Sequence, residues 1–334
     1  MSGRIKQAAK TADSGGMRAC AAVERSTMKI ILIALLSLVS ACSDPAALPL
    51  VENDSVTTGH LAHIGIDEAS GLARSNIAPG RFWAINDSGS GPLLFAMGND
   101  GSHHAVVALE GAVNRDWEDL ASYVFDGQPM LLIADIGDNM ARRTALTLYI
   151  VAEPTLEQQD TYSVRIARQI DVILPDGAHD SEAVSVDTIG EMILILSKRD
   201  IPAVLYEVPL RAEESDGPVL AKRLGIVDSI PQPTAADRRR APVADDWYWQ
   251  PTAMDISPDG GTAVILTYRG LYFYPRGRTQ SWIEALRRPP VTTMRVEAGE
   301  AEAVAFSADG ADVYVTVEQR HAPLLRFNMR NQNQ

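Results

Sequence analysis

A chain of 334 residues with a formal net charge of −13 repels other polyanions, which speaks against nonspecific binding to nucleic acid or to an anionic membrane surface. No cysteine follows Cys42, so a disulfide, a thiolate metal site and a cysteine nucleophile are all excluded downstream of it. The chain also has no Gly-x-Ser-x-Gly elbow, which argues against an α/β-hydrolase type of esterase.

Residues 1–27, polar and alanine-rich, read as an upstream extension, with Met28 as an alternative start. Met28-Lys29 then precedes the apolar run Ile30 to Val39 and the small residues Ser40-Ala41, the pattern of a signal peptide over residues 28–41. The run is shorter than the roughly 20 residues that span a bilayer. Val39-Ser40-Ala41-Cys42 resembles a bacterial lipobox, which implies cleavage before Cys42 and lipid attachment to its sulfur. Residues 42–55 form a tether of small residues, prolines and acids. About 280 residues remain, enough for one large domain over residues 56–330.

That remainder repeats itself. Five copies of a strand, a turn and a second strand begin at Ser70, Glu118, Glu182, Thr252 and Glu302, at intervals of 48, 64, 70 and 50 residues, near a propeller-blade period at the short end. The second runs are Phe82 to Ile85, Met130 to Ala134, Met192 to Leu196, Ala263 to Thr267 and Val313 to Val317. Third strands follow at Leu93 to Met97, Leu146 to Val151, Val204 to Val208, Leu271 to Tyr274 and Leu324 to Phe327. Fourth strands are expected at Ala105 to Leu109, Val164 to Ile173, Lys222 to Val227 and Val291 to Val296. The last copy lacks one, and the spare strand Thr57 to Ile66 ahead of the first copy can close the ring. Short strands, regular turns and no helical periodicity predict an all-β, five-bladed β-propeller of four-stranded antiparallel blades. Six blades are the alternative, with a divergent unit between Arg211 and Trp249.

In an antiparallel hairpin the start of the first strand lies beside the end of the second. Ser70, Glu118, Glu182, Thr252 and Glu302 are therefore expected at one mouth of the central channel. Asp87, Asp135, Arg199, Arg269 and Gln319 stand seventeen residues further on, and are expected beside them. Three crowded carboxylates must take up protons or hold a cation. The all-oxygen set suits calcium, and no histidine or cysteine at the repeat position favours zinc. The plainer alternative is that each glutamate caps a neighbouring blade or pairs with an arginine. Asp87 and Asp135 are candidates to align a water, and Arg199 and Arg269 to hold an anion.

Asp135-Ile136-Gly137-Asp138-Asn139 reads first as a tight turn and second as ligands for another calcium. Asn86 to Gly91 is likewise a turn, without the lysine of a phosphate-binding loop. His179, three residues before Glu182, is a possible acid or base at the same mouth, whereas His103-His104 enters a fourth strand and carries no assigned chemistry. Between Arg211 and Gln250 an irregular stretch carries Arg238-Arg239-Arg240 and Trp247-Tyr248-Trp249. Exposed aromatics there would mark a docking patch.

Two resemblances rest on these motifs. Glu68-Ala-Ser-Gly-Leu-Ala, Trp83-Ala-Ile-Asn-Asp-Ser-Gly, Asp116-Trp-Glu-Asp-Leu-Ala, Asp135-Ile-Gly-Asp-Asn and His179-Asp-Ser-Glu-Ala look like a family of exported bacterial propeller proteins of unassigned function. More distantly, the order hydroxyl, Glu, Glu, hydroxyl, Glu is similar to calcium-activated nucleotidases of the apyrase type. That likeness implies a central calcium on Ser70, Glu118, Glu182, Thr252 and Glu302, with Asp87 matching an acidic pair and Lys198-Arg199 a basic pair. Ser88 stands where that family carries arginine, and Thr252 replaces serine, so calcium binding carries over better than nucleotide hydrolysis.

The expectation is a lipid-anchored monomer of the bacterial envelope, at the outer membrane, periplasm or cell surface, with calcium at one channel mouth. It would bind or hydrolyse a phosphorylated or otherwise anionic small molecule, with no nucleic acid and no membrane contact beyond the anchor. A non-catalytic surface propeller that docks a protein or glycan is the alternative. Calcium-dependent lactone or ester hydrolysis is a further one if the blades number six.

Overall fold

The second strand of each repeat is a continuous apolar run because it is buried on both faces, and successive residues serve opposite neighbours. In the computed structural model, which describes residues 55–212, 217–232, 235–240 and 249–329, Ile193 and Ile195 pack towards one adjacent sheet while Leu194 and Leu196 pack towards the other. Phe82 and Ala84 diverge in the same way from Trp83 and Ile85. The core is therefore a set of apolar layers between radially arranged sheets.

The chain enters through β1 (Val56–His60). Blade 1 follows as β2 (Ala69–Arg74), β3 (Arg81–Asn86), β4 (Leu93–Gly98) and β5 (His103–Glu110). Blade 2 comprises β6 (Trp117–Phe125), β7 (Gln128–Asp135) and β8 (Leu146–Ala152); after β9 (Thr161–Arg165), β10 (Arg168–Ile173) completes it. Blade 3 is β11 (Ser181–Asp187), β12 (Met192–Ser197) and β13 (Ala203–Pro209); past the short β14 (Val219–Leu220), β15 (Lys222–Val227) is its edge. Helix α1 (Ala235–Arg240) precedes blade 4, which is β16 (Ala253–Ile256), β17 (Thr262–Thr267), β18 (Gly270–Pro275) and, beyond helix α2 (Trp282–Leu286), β19 (Thr292–Arg295). Blade 5 is β20 (Ala301–Phe306), β21 (Asp312–Val317) and β22 (Pro323–Asn328), with β1 as its fourth strand. The first strands touch in a closed cycle, β2 on β6, β6 on β11, β11 on β16, β16 on β20 and β20 on β2, so they surround the axis.

The all-β class, the five blades and the closing role of the amino-terminal strand are as expected. Five sheets leave no place for a sixth blade between Arg211 and Trp249, where the described residues supply β14, β15 and α1. The lactone or ester reading, which needed six blades, loses its ground with them.

The single strand expected over Val164 to Ile173 is two strands in different blades. β9 runs parallel to β5 on the rim of blade 1, whereas β10 pairs with β8 in blade 2. The chain crosses at residues 166–167, where the Ile166 N–H donates to the Glu110 carbonyl and the Ala167 N–H to the Ile150 carbonyl. β14 adds in parallel to β10 in the same manner. Both additions cover outer edges that would otherwise present unpaired backbone.

Closure is tight at Gly59, where an added Cβ would lie 1.8 Å from the Asp100 carbonyl oxygen. Gly59→Val is expected to unseat β1 from β22 and cost on the order of 1–3 kcal/mol, as overpacking does. A urea unfolding midpoint equal to that of the wild type would contradict this. The expected extension, signal peptide, lipidated Cys42 and tether lie outside the described residues, apart from Ser55.

Candidate functional site at the channel mouth

In four of the five innermost strands the predicted starting residue is the extra residue of a β-bulge: Ser70, Glu118, Glu182 and Glu302. Thr252 sits immediately before β16, its N–H donating to the Leu266 carbonyl. A bulge re-aims one side chain out of the alternating pattern. Here it does so at the same place in successive blades. Glu118, Glu182 and Glu302 are buried, and one carboxylate oxygen of each lies within 4.8 Å of those of the other two.

The two hydroxyls act on the glutamates through the backbone. Ser70 Oγ donates to the Trp117 carbonyl and Thr252 Oγ1 to the Ala301 carbonyl, both at 2.8 Å. Each acceptor is the residue before a glutamate, so blade 1 steadies the bulge of Glu118 and blade 4 that of Glu302. Donation in this direction leaves the acceptor lone pairs of both hydroxyls uncommitted.

The second ring departs from the expectation by one residue. Asn86, Asp135, Ser197 and Val317 are the partners of the residues just before the bulges. Equivalent places one step further along are therefore Asp87, Ile136, Lys198 and Glu318, with Tyr268 matching them in blade 4. The first hairpin is one residue longer than those of blades 3 to 5, and the second is two longer, so a constant count of seventeen mixes levels. A one-residue slip turns a side chain to the opposite face. Of the predicted ring, Asp87 alone stands at this level. Asp135 falls one short, and Arg199, Arg269 and Gln319 fall one beyond.

The consequences are visible in their partners. Asp135 accepts from Arg143 Nη1 at 2.7 Å and from the Arg115 N–H at 3.1 Å, so both its oxygens are engaged in holding a loop. Arg199 pairs with Asp180 at 2.6 Å and donates to Asn139. The Arg269 N–H donates to Thr267 Oγ1, and its carbonyl accepts from Val296. Arg320 reaches Asp67 at 3.0 Å.

Lys198 and Tyr268, by contrast, enter the cluster. The Lys198 ammonium donates to Glu182, lies 3.7 Å from Glu302 and donates to Tyr268 Oη at 3.0 Å, and Tyr268 Oη in turn donates to Glu302. Glu182 and Glu302 thus pair with a lysine rather than with the arginine that the plainer alternative named. Burial opposes the Lys198 charge, but Glu182, Glu302 and Glu118 overcome it and hold its pKa above the ordinary value. Burial, with the neighbouring carboxylates, raises Glu118 well above the usual range; Glu182 is raised likewise by burial, against the pull of Lys198.

A second group lies towards blades 1 and 2, where Asp87, Asp116 and Glu118 also bring oxygens within 4.8 Å of one another. Burial and the charges of Asp87 and Asp180 push Asp116 up to about 6. Asp87 is raised by burial, against the N–H of Ser88. Across the mouth, burial and Glu302 push Glu318 up to about 7. Gly137 makes room for the group, since a Cβ there would lie 2.0 Å from Glu118 Oε1 and 2.5 Å from Asp116 Oδ2. The turn reading of residues 135–139 accounts for Asp138, whose carboxylate accepts the N–H groups of Arg142 and Arg143 at 2.8 and 2.6 Å.

His179 is held between Asp200, 2.9 Å from Nδ1, and Asp176, 3.4 Å from Nε2. Trp249 is buried with Arg238 above its ring at 5.7 Å, so it offers no exposed aromatic patch; Trp247 and Tyr248 lie outside the described residues.

Two aspartates missed in the sequence cross the axis. Asp119 Oδ1 accepts from the Leu120 N–H, and Oδ2 accepts from Val184 in blade 3 and Met254 in blade 4. Asp255 repeats the arrangement: Oδ1 accepts from Ile256, and Oδ2 from Phe306 in blade 5 and Arg74 in blade 1. Between them the two spokes link all five blades. Their only sequence signal is an aspartate inside an innermost strand.

No protein-family model matches the chain, and no curated protein matches it. Among solved structures it is similar to a structure of U3-55K, at 9% identity over 78% of this chain and 68% of that one, with a TM-score of 0.38. It is similar to a crystal structure of RRP9 WD40 repeats at 9% identity, 78% and 67% coverage and the same TM-score. The strand pairing itself makes the chain a five-bladed β-propeller, and its innermost bulges build the candidate site.

Proposed function

We propose that the glutamate mouth takes up a divalent cation, calcium by the chemistry of its donors, and through it binds a phosphorylated or otherwise anionic small molecule. One observation carries the reading: Glu118 belongs to two groups of three carboxylates, while the Lys198 ammonium sits against Glu182 and Glu302. Uncharged Ser70 and Thr252 complete an all-oxygen donor set of the kind calcium prefers. When bound, such an ion polarises a phosphoryl oxygen.

Hydrolysis asks the chain itself for a water-aligning base and an anion clamp. Asp116, with a pKa near 6, and Asp87 suit the first role at neutral pH. Asp135, with both oxygens engaged, suits it poorly. Arg199, one third exposed beside Asp180, is the better candidate for the clamp. The same reading makes the protein a lipid-anchored component of the bacterial envelope through Cys42.

Calcium at 100 times its dissociation constant should stabilise the wild type by about 2.7 kcal/mol. Glu118→Ala should abolish that shift, read by thermal unfolding with calcium and with chelator. Melting curves indifferent to calcium in both proteins would end the proposal. A calcium shift without turnover on any phosphoester would instead leave a calcium-dependent binding module.

A further inference from the structure

The channel has another end. Gly71, Asp119, Ala183, Ala253 and Ala303 occupy one level of the innermost strands by their pairing with Ile85, Ala134, Leu196, Leu266 and Thr316. Three residues further down, Arg74, Ser122, Val186, Ile256 and Phe306 form a level towards the end opposite the glutamates. Here a cavity of about 230 Å³ opens, lined from blades 1 to 4 by Arg74, Asn76, Ser122, Val186, Thr188 and Ile256. Val124, 47% exposed, marks its rim.

The cavity is rich in donors that lack acceptors. Arg74 uses Nη1 for Asp255, at 3.0 Å, and for the Ile256 carbonyl, at 3.4 Å; its Nε and Nη2 make no hydrogen bond among the described residues. Ser122 Oγ and Asn76 Nδ2 are buried without a partner. Neither nearby carboxylate is available to them. Asp255 is spent on Phe306, Ile256 and Arg74, and Asp187 on both terminal nitrogens of Arg276 and on the Ile189 N–H. Buried donors without acceptors are costly, and a guanidinium beside them suits a planar oxyanion.

We propose that this far end of the channel is a binding site for a small carboxylic acid, held by Arg74, Ser122 and Asn76, with its carbon chain against Val186 and Ile256. The volume admits a head group and a few carbons, below the usual range for larger ligands. This site is independent of the cation reading.

Calorimetric titration with acetate, propionate and inorganic phosphate tests the proposal. Propionate should bind. Ser122→Ala, which removes one donor without enlarging a side chain, should weaken it roughly tenfold, as loss of a hydrogen bond to a charged group does. Arg74→Gln should abolish binding, but it also breaks the pair with Asp255, so Ser122→Ala is the deciding variant. Its melting temperature should be no lower than that of the wild type, since the hydroxyl it removes has no partner, and its response to calcium should be unchanged. No heat with either carboxylate, binding unchanged by Ser122→Ala, preference for phosphate, or crystals grown in propionate that hold only water in the cavity would each overturn the assignment.

Discussion

Asp119→Ala should be among the most damaging single substitutions in this chain, lowering stability by on the order of 3–5 kcal/mol, since each buried N–H left without its acceptor costs about 1–3 kcal/mol. Asp119 is fully buried and satisfies three backbone N–H groups, from Leu120 and Val184 at 2.8 Å and Met254 at 3.2 Å. Burial raises its pKa well above the usual range, and the three N–H groups pull the other way. Alanine keeps the strand but orphans donors in three blades at once. Typical domains have about 5–15 kcal/mol in total, so the loss would be a large fraction of the whole. Asp119→Asn keeps one acceptor oxygen and points an amide N–H at another N–H, so it should fall between wild type and alanine. Denaturant unfolding of the three proteins is the measurement. An alanine variant within about 0.5 kcal/mol of wild type, the range of ordinary surface changes, would show that the spoke carries no load.

That spoke also marks where reading the sequence stops. The five second strands were legible because burial on both faces forces an unbroken apolar run, which composition alone betrays. The five starting residues were legible because they fall at the same point in successive copies, at a bulge in four of them. Their partners were not, since a hairpin longer by one residue in blade 1 and by two in blade 2 leaves the spacing to Asp87 and Asp135 unchanged while shifting their level. The count of seventeen thereby points to Arg199 where Lys198 stands, to Arg269 where Tyr268 stands and to Gln319 where Glu318 stands; of these three only Lys198 is named by its sequence, as half of the basic pair Lys198-Arg199. The exchange of β9 into blade 1 was hidden for a related reason. Residues 164–173 read as one strand because the crossing at residues 166–167 is made by backbone hydrogen bonds, on which side-chain pattern is silent. Asp119 and Asp255 bind backbone N–H groups of other blades, and no spacing within one strand announces such contacts.

Lys198→Met should convert a partly self-neutralised mouth into one that depends on an added cation. Burial and the neighbouring carboxylates push Asp116 up to about 6 and Glu318 up to about 7, both above their unfolded values. The folded state therefore holds more protons than the unfolded chain between about pH 4 and pH 7. Stability from these groups is present below their unfolded pKa values and is lost as pH rises through 6 and 7. Both groups are about half buried, so solvent softens the effect, and the falling melting temperature between pH 5 and pH 8 is the robust sign. Removing the ammonium leaves Glu182 and Glu302 without their nearest positive charge and should steepen that fall. A unit charge at 4 Å is worth about 4 kcal/mol at an effective dielectric constant of 20, so even after desolvation calcium should bind the variant at least roughly tenfold more tightly. Saturating calcium should then flatten the pH profile of both proteins, and more so in the variant. A shallower profile in Lys198→Met, or calcium affinity equal to wild type, would mean that the ammonium does not share the ground on which the cation acts.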